Sequence, residues 1–331
     1  MTTSLTDKKT TYGVDIEDVR AAAKRIAPYA HITPIMTCAT IDELAGRSVL
    51  FKCENFQKIG AFKFRGACNA IMGLPDDIAA KGVVTHSSGN HAQAVALAAK
   101  LRGIPAHIVM PNNSVVVKKN AVLGYGAKVY ECEPNEQSRH EVGERVENET
   151  GATFVSPFDD PAIIAGQGTS ALEFLDQTSD SGGRGLDAII TPIGGGGLIS
   201  GTAITCSSLQ PSMKIFGAEP KMADDAARSL AKGEFVPVEN PQTIADGLRT
   251  STGKYTWPII RDHLAGITTV SEEDIVKAMR LVWERMKILI EPSSAVAVAA
   301  VLSPELKAIP GIDRIGIIIS GGNVDIDHLP W

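Results

Sequence analysis

From about residue 82 onward, short apolar runs alternate with longer segments whose apolar positions recur every three or four residues. "GVVTHS" (82–87), "AHIVMP" (106–111), "KVYECE" (128–133) and "TFVSP" (153–157) read as strands. Between them, "NHAQAVALAAKLRG" (90–103), "VVKKNAVLGYG" (116–126) and "NEQSRHEVGERVENETG" (135–151) read as helices. The alternation resumes after "AGQGTSALEFLDQ" with strand "LDAIITPI" (186–193), the turn "GGGGLISG", helix "TAITCSSL" and strand "KIFGAEP" (214–220). Upstream, "DIEDVRAAAKRIAPYA" has helical spacing with Asp15 as its cap, "SVLFKCE" reads as a strand, and "FKFRGACNAIMGL" as a helix beginning near Lys63. Helices "SEEDIVKAMRLVWERMKIL" and "SSAVAVAAVL" precede a last strand, "RIGIIIS", and the turn "GGN". Strands joined through helices predict an α/β chain with parallel sheets, and ligands at the carboxyl ends of the strands. One long irregular stretch, 233–257, is expected to cover part of a site.

Composition narrows the class. With 331 residues, 44% hydrophobic and 21% charged, the chain has the profile of a soluble globular protein. A net charge of −6 gives no electrostatic footprint for nucleic acid, so small anions must be held by local donors. Five scattered cysteines, Cys38, Cys53, Cys68, Cys132 and Cys206, form no metal-binding pattern and read as free thiols. The polar N-terminus carries no apolar leader and no run reaches membrane-spanning length, so a cytoplasmic setting is expected.

The stretch "NFQKIGAFKFRG" (55–66) raises the first chemical question. Lys63 sits between Phe62 and Phe64, and three readings compete: a solvated edge, a buried ion pair, or an amine that does chemistry. "SSGNH" (Ser87 to His91) opens a helix, either as a plain capping loop or as a cradle of amides for a carboxylate. "GGGG" (Gly194 to Gly197) lets backbone amides crowd an anion such as phosphate. A dinucleotide site competes, because Glu219 ends the next strand where a ribose-binding acid belongs, but Gly195, Gly197 and Gly201 do not give the tight fingerprint. That reading also leaves Lys63 and "SSGNH" without a task. "SGGN" after the last strand is either a glycine turn or a polar strand end. Glu219, Asp224 and Asp225 suit either a helix start or, with one aspartate and a carbonyl, a hard cation. Taken together, a lysine, two amide cradles and a polar strand end match what pyridoxal phosphate needs.

In these motifs the sequence resembles the fold-type II pyridoxal-phosphate enzymes and, among them, the eukaryotic-type serine racemases. "FKCENFQKIGAFKFRGACNA", "THSSGNHAQA", "AGQGTSALE", "PIGGGGLISG", "AEPKMADDA", "TIADGL", "ERMKILIEP" and "SGGNVD" carry the resemblance in order along nearly the whole chain. It implies a two-domain α/β fold, each domain an open twisted, mostly parallel sheet flanked by helices. The large domain is formed by 1–76 and 158–331, and the small one by 77–157. Lys63 is implied as the Schiff-base lysine and the base on one face, with Phe62 beside the ring. Asn90 is implied at the phenolic oxygen, Gly194, Gly195, Gly196 and Gly197 at the phosphate, and Ser320 at the pyridine nitrogen. Ser87, Ser88, Asn90 and His91 then surround the substrate carboxylate, Ser88 serves the face opposite Lys63, and Arg139 lies near the entrance. Glu219, the Ala223 carbonyl and Asp225 are implied as ligands of Mg2+ (or Ca2+ or Mn2+). The implied activity is serine racemisation with elimination to pyruvate and ammonia, in a homodimer with ATP as an effector. Alternatives are a threo-3-hydroxyaspartate dehydratase, a nicotinamide-dependent oxidoreductase and a catalytically silent cofactor-binding protein. Lys58 reads as a solvated neighbour.

Overall fold

The computed structural model describes residues 12–114, 116–180 and 185–331. Its described chain begins in a helix, Ile16–Ile26, whose first turn is closed by a reciprocal cap between Asp15 and Asp18. It next forms two strands, β1 (Ile35–Thr37) and β2 (Ser48–Cys53), and then leaves them. A separate four-stranded sheet follows, made of β3 (Val83–His86), β4 (Ala106–Pro111), β5 (Lys128–Cys132) and β6 (Thr153–Phe154). The chain finally returns beside β2 with β7 (Ala188–Pro192), β8 (Lys214–Pro220), β9 (Gly266–Val270) and β10 (Arg314–Ile319).

The two sheets run β1-β2-β10-β7-β8-β9 and β5-β4-β3-β6. All pairings are parallel except β1 with β2. Parallel strands covered on both faces need continuous apolar runs. β7 and β10 supply them: Ala188, Ile189, Ile190, Ile315, Ile317, Ile318 and Ile319 have no exposed surface. Helices Pro292–Leu302 and Glu272–Met286 cover one face of the larger sheet, and Pro161–Asp180 with Gly197–Leu209 cover the other.

One expectation is adjusted, and two strands are new. "TFVSP" keeps only two strand residues, because the chain turns away at Ser156 and Pro157, which has no N–H to pair. β9, "GITTV", was hidden by its half-buried edge position, which produces no clear alternation. β1 adds an antiparallel edge that the reading along the chain did not contain. No described helix is long and apolar enough to cross a membrane. The carboxyl ends of β3, β7, β8 and β10 each lead into one of the loops singled out in the sequence.

Candidate active site

Beyond β2 the backbone makes two short 3-10 turns, Glu54–Phe56 and Lys58–Gly60, before the helix Lys63–Met72. Ile59 holds φ at 60°, a left-handed conformation that is unfavourable for a β-branched residue. Surrounding bonds impose it: Asn323 Nδ2 donates to the Ile59 carbonyl at 2.7 Å, and the Gly322 amide to the Gly60 carbonyl at 2.9 Å. The Phe62 amide donates to the Ser320 carbonyl at 2.9 Å. The lysine loop is thereby stitched to the end of β10.

Lys63 is half-buried. Its Nζ donates to the Pro157 carbonyl at 2.6 Å and lies 5.3 Å from the centre of the Phe62 ring. Loss of water around the amine pushes its pKa down to about 8, with Glu291 pulling the other way. Lys58, expected as a solvated neighbour, is half-buried over the Phe64 ring, 5.7 Å from its centre.

Two loops present amides without protein partners. Among the described residues, the N–H groups of Gly194, Gly195, Gly196 and Gly197 meet no acceptor. They open the helix Gly197–Leu209, whose first-turn donors have no intrahelical acceptor by construction. Glycine is required by the protein side of this loop: a Cβ on Gly195 would lie 2.2 Å from the Phe158 ring, and Gly196 has φ +88°. In the second loop, the amides of Ser88, Asn90 and His91 also lack acceptors among the described residues, and so does the Ser88 hydroxyl. Ser87 is occupied locally, its amide on the Val109 carbonyl and its Oγ accepting from Gly89. His91 is buried, with Nε2 3.0 Å from the Val155 carbonyl and Nδ1 without a partner. Burial, then the charge of Lys63, pushes its pKa down to about 3, so the ring is neutral.

The helix Pro292–Leu302 organises the rest, and sequence reasoning missed its part. Glu291, its N-cap, accepts from Asn90 Nδ2 at 2.9 and 3.1 Å and from the Asn323 amide at 3.2 Å. Burial raises its carboxyl to about 7, and the nearby charge of Asp246 adds to the shift. Asn323 Nδ2 also donates to Asn90 Oδ1 at 2.8 Å. Asn90 is thus fixed at both ends of its amide. Ser293 receives the Gly247 amide at 3.1 Å, and Ser294 Oγ lies 2.9 Å from Ser320 Oγ. Asp246, in the irregular stretch 233–257, pairs with Lys118 at 2.6 Å. Glu291 and Asn323 sit inside motifs quoted above, yet a glutamate before proline also signals an ordinary helix start, which masked its placement.

Arg139 stands apart. It neighbours His86 and Cys132 at the carboxyl edge of the smaller sheet, and makes no hydrogen bond to Lys63 or to residues 87–91 among the described residues. Its buried Nε has no partner among the described residues. Glu219, Ala223 and Asp225 are all buried. Glu219 caps the helix Asp225–Lys232 by accepting the Ala226 and Ala227 amides at 3.1 and 2.8 Å. Burial and the charge of Asp225 raise Glu219 well above the usual carboxylate range, and burial lifts Asp225 to about 6. Asp224 turns to Arg228 at 2.7 Å, and among the described residues the buried Thr252 hydroxyl beside Asp225 has no partner. Oxygen donors are the kind a hard divalent cation takes, but among the described residues no group of three or more His, Cys, Asp or Glu side chains is placed to hold a metal ion.

The unpaired amides, the enclosed amine and the polar end of β10 fit a ligand with a phosphate, an aldehyde and a ring nitrogen. Comparison with known proteins agrees. The chain is 50% identical over 318 residues to serine racemase of Dictyostelium discoideum, covering 96% of this chain and 97% of that one. It is equally 50% identical over 316 residues to beta-hydroxyaspartate dehydratase of Paracoccus denitrificans, covering 95% and 98%. The structure of maize serine racemase superposes with a TM-score of 0.93 at 48% identity, covering 96% of this chain and 95% of that one. A family model described as pyridoxal-phosphate dependent enzyme matches residues 26–321, and the chain belongs to that family.

Proposed function

We propose that this chain is an amino-acid racemase that interconverts L- and D-serine and also eliminates water from serine, giving pyruvate and ammonia. The observation that carries the reading is the Lys63 amine, its pKa pushed down to about 8 and, among the described residues, left with a single carbonyl acceptor. Pyridoxal phosphate, when bound, supplies an electrophilic aldehyde and a ring that withdraws charge from the substrate's α-carbon. Lys63 would hold the aldehyde, and its amine is placed to take the α-proton on its own face. The amides of Gly194 to Gly197 hold the phosphate, and those of Ser88, Asn90 and His91 orient the substrate carboxylate. Ser88 holds a proton for the opposite face; delivering it inverts the centre, whereas departure of the β-hydroxyl, protonated to water, gives an enamine that water hydrolyses to pyruvate and ammonia.

A threo-3-hydroxyaspartate dehydratase is the second reading. The Paracoccus relative, as similar as the Dictyostelium racemase, favours it. We also read Glu219, Asp225 and the Ala223 carbonyl as the seat of Mg2+, Ca2+ or Mn2+, supported by their oxygen donors. A chelator is then expected to lower melting temperature and rate together. The course of the chain between the two sheets supports 77–157 as a separate small domain. A cytoplasmic homodimer with ATP as effector completes the reading, on the resemblance alone.

The deciding experiment assays L-serine, D-serine and both threo-3-hydroxyaspartates with wild type and Ser88→Ala. A positioned acid/base contributes about a hundred- to ten-thousandfold. Ser88→Ala is expected to lose racemisation and D-serine elimination by about that factor while L-serine elimination persists. Equal losses toward both enantiomers assign Ser88 to substrate positioning instead. Turnover of hydroxyaspartate without serine selects the second reading.

A further inference from the structure

The amides of Gly194 to Gly197 are not all aimed by the same part of the molecule. Gly197 is aimed by its own helix. The Ser200 amide holds the Gly196 carbonyl at 2.9 Å, and in a planar trans peptide the N–H points opposite to the carbonyl of the preceding residue. The Gly195 carbonyl lies outside that helix. Among the described residues it accepts from one group, the Thr256 hydroxyl at 2.8 Å, so Thr256 sets the direction of the Gly196 N–H. Thr256 is fully buried, and a Cβ on Gly196 would lie 2.9 Å from the Thr256 Cβ. A hydroxyl has one proton to give. The Gly253 amide fills a Thr256 lone pair at 2.7 Å and leaves that proton for the Gly195 carbonyl.

Thr256 is itself held from a distance. It opens the helix Thr256–His263, and the Asp159 carboxylate accepts the amides of Lys254, Tyr255 and Thr256 at 2.9, 2.7 and 3.2 Å. The neighbouring Asp160 caps the helix that it precedes, on the amides of Ala162 and Ile163. Asp159 instead reaches 96 residues along the chain to Tyr255. A Cβ on Gly253 would lie 2.2 Å from the Asp159 carboxyl carbon, so the turn closes directly on the carboxylate. We propose that Asp159 is a positioning residue for the phosphate end of the site: it fixes the turn 253–256, through which the Thr256 hydroxyl aims the Gly196 amide at the phosphate. The inference rests on the reading of Gly194 to Gly197 as the phosphate cradle.

The test reconstitutes the full chain, freed of cofactor, with pyridoxal phosphate and separately with pyridoxal, which has the same aldehyde and ring but no phosphate. The ratio of the two affinities reads the cradle, and the phosphorus chemical shift of the bound phosphate reads its hydrogen bonds. Melting temperature is followed alongside. Thr256→Val keeps the side chain's shape without its hydroxyl, Thr256→Ser keeps the hydroxyl, and Asp159→Ala removes the cap. Thr256→Val and Asp159→Ala are each expected to lower the ratio about tenfold and to move the phosphorus signal, while pyridoxal affinity holds and Thr256→Ser stays near wild type. Because Asp159 acts through Thr256, the double variant should also lose about tenfold, not a hundredfold. An Asp159→Ala protein that melts earlier but keeps the wild-type ratio and signal overturns the proposal, and so do additive losses in the double variant. Should Asp159→Ala fail to fold, Asp159→Asn, which keeps one acceptor oxygen, is judged on the same readouts. Gly196→Ala, strained at a φ of +88°, disturbs the cradle directly. If it lowers the ratio while Thr256→Val and Asp159→Ala do not, the cradle stands and the proposal fails. If none of the three moves the ratio, the cradle reading fails and the proposal with it.

Discussion

Lys52 and Lys63 are both drawn away from water, and burial lowers the pKa of each. Their hydrogen bonds separate them. Lys52 Nζ, on β2, has three acceptors: the Thr33 carbonyl at 2.8 Å, Glu173 Oε1 at 2.5 Å and Gln177 Oε1 at 2.7 Å. Each N–H of its ammonium is matched, and no lone pair is available. Among the described residues Lys63 has one acceptor, the Pro157 carbonyl, so its neutral form loses little and keeps a lone pair directed elsewhere. Two residues along the helix, Arg65 joins the Lys52 network through Glu54 at 2.7 Å and Glu173 at 3.1 Å. Burial alone therefore does not mark a reactive amine. What marks it is burial with acceptors withheld.

The largest effect expected from this contrast comes from Lys63→Met, which keeps side-chain length and removes the amine. Turnover should fall by about ten-thousandfold or more, since both nucleophile and base are lost. The melting temperature should hold or rise, because an amine with a single partner is costly to keep from water. Residual wild-type-like turnover, or a large loss of stability, would put Lys63 in the same class as Lys52.

Lys52→Met should do the reverse. Among the four charged side chains of the network, Lys52, Glu54, Arg65 and Glu173, positive and negative groups balance, and removing Lys52 leaves an excess carboxylate. Breaking a buried pair in this way costs about 3–5 kcal/mol. Because Arg65 still holds Glu173, the loss should fall near the lower end, read from denaturant unfolding. The folded fraction should keep its kcat. A stable Lys52→Met protein with impaired turnover would mean that the network serves the reaction after all.

This contrast also explains what was legible in the sequence. The alternation of strands and helices was readable because parallel strands covered on both faces must be apolar throughout, as in "AIITP" and "RIGIII". Glycine loops were readable because their backbone demands are local, as at Gly196. Partners supplied by distant segments were not. "FKFRG" contains both Lys63 and Arg65, and nothing in its order says that one meets a carbonyl from residue 157 and the other carboxylates from residues 54 and 173. Glu291, Ser294 and Asn323 escaped for the same reason. Each acts across more than 20 residues, and each alone passes for an ordinary capping or turn residue.

The smallest effect is the finest test of why the Lys63 amine is near neutrality. Two influences oppose each other there: burial favours the free amine, and the Glu291 charge favours the ammonium. Glu291 itself titrates near 7, so it is mostly ionised when Lys63 titrates near 8. In the apoenzyme, capture of pyridoxal phosphate requires the free amine, and its rate should rise with pH through about 8 rather than the ordinary lysine value of 10.5. Glu291→Gln removes the charge and should lower that midpoint by about one unit or less. Stability should follow with opposite signs. Lys63, depressed in the folded chain, makes stability rise with pH between about 8 and 10.5. Glu291, raised from 4.5 to about 7, makes stability fall as pH rises across that window, and Glu291→Gln should abolish the fall. A midpoint that stays at its wild-type value in Glu291→Gln, with the stability slope from 4.5 to 7 unchanged, would show the two groups to be uncoupled. The difference between Lys63 and Lys52 would then rest on withheld acceptors alone.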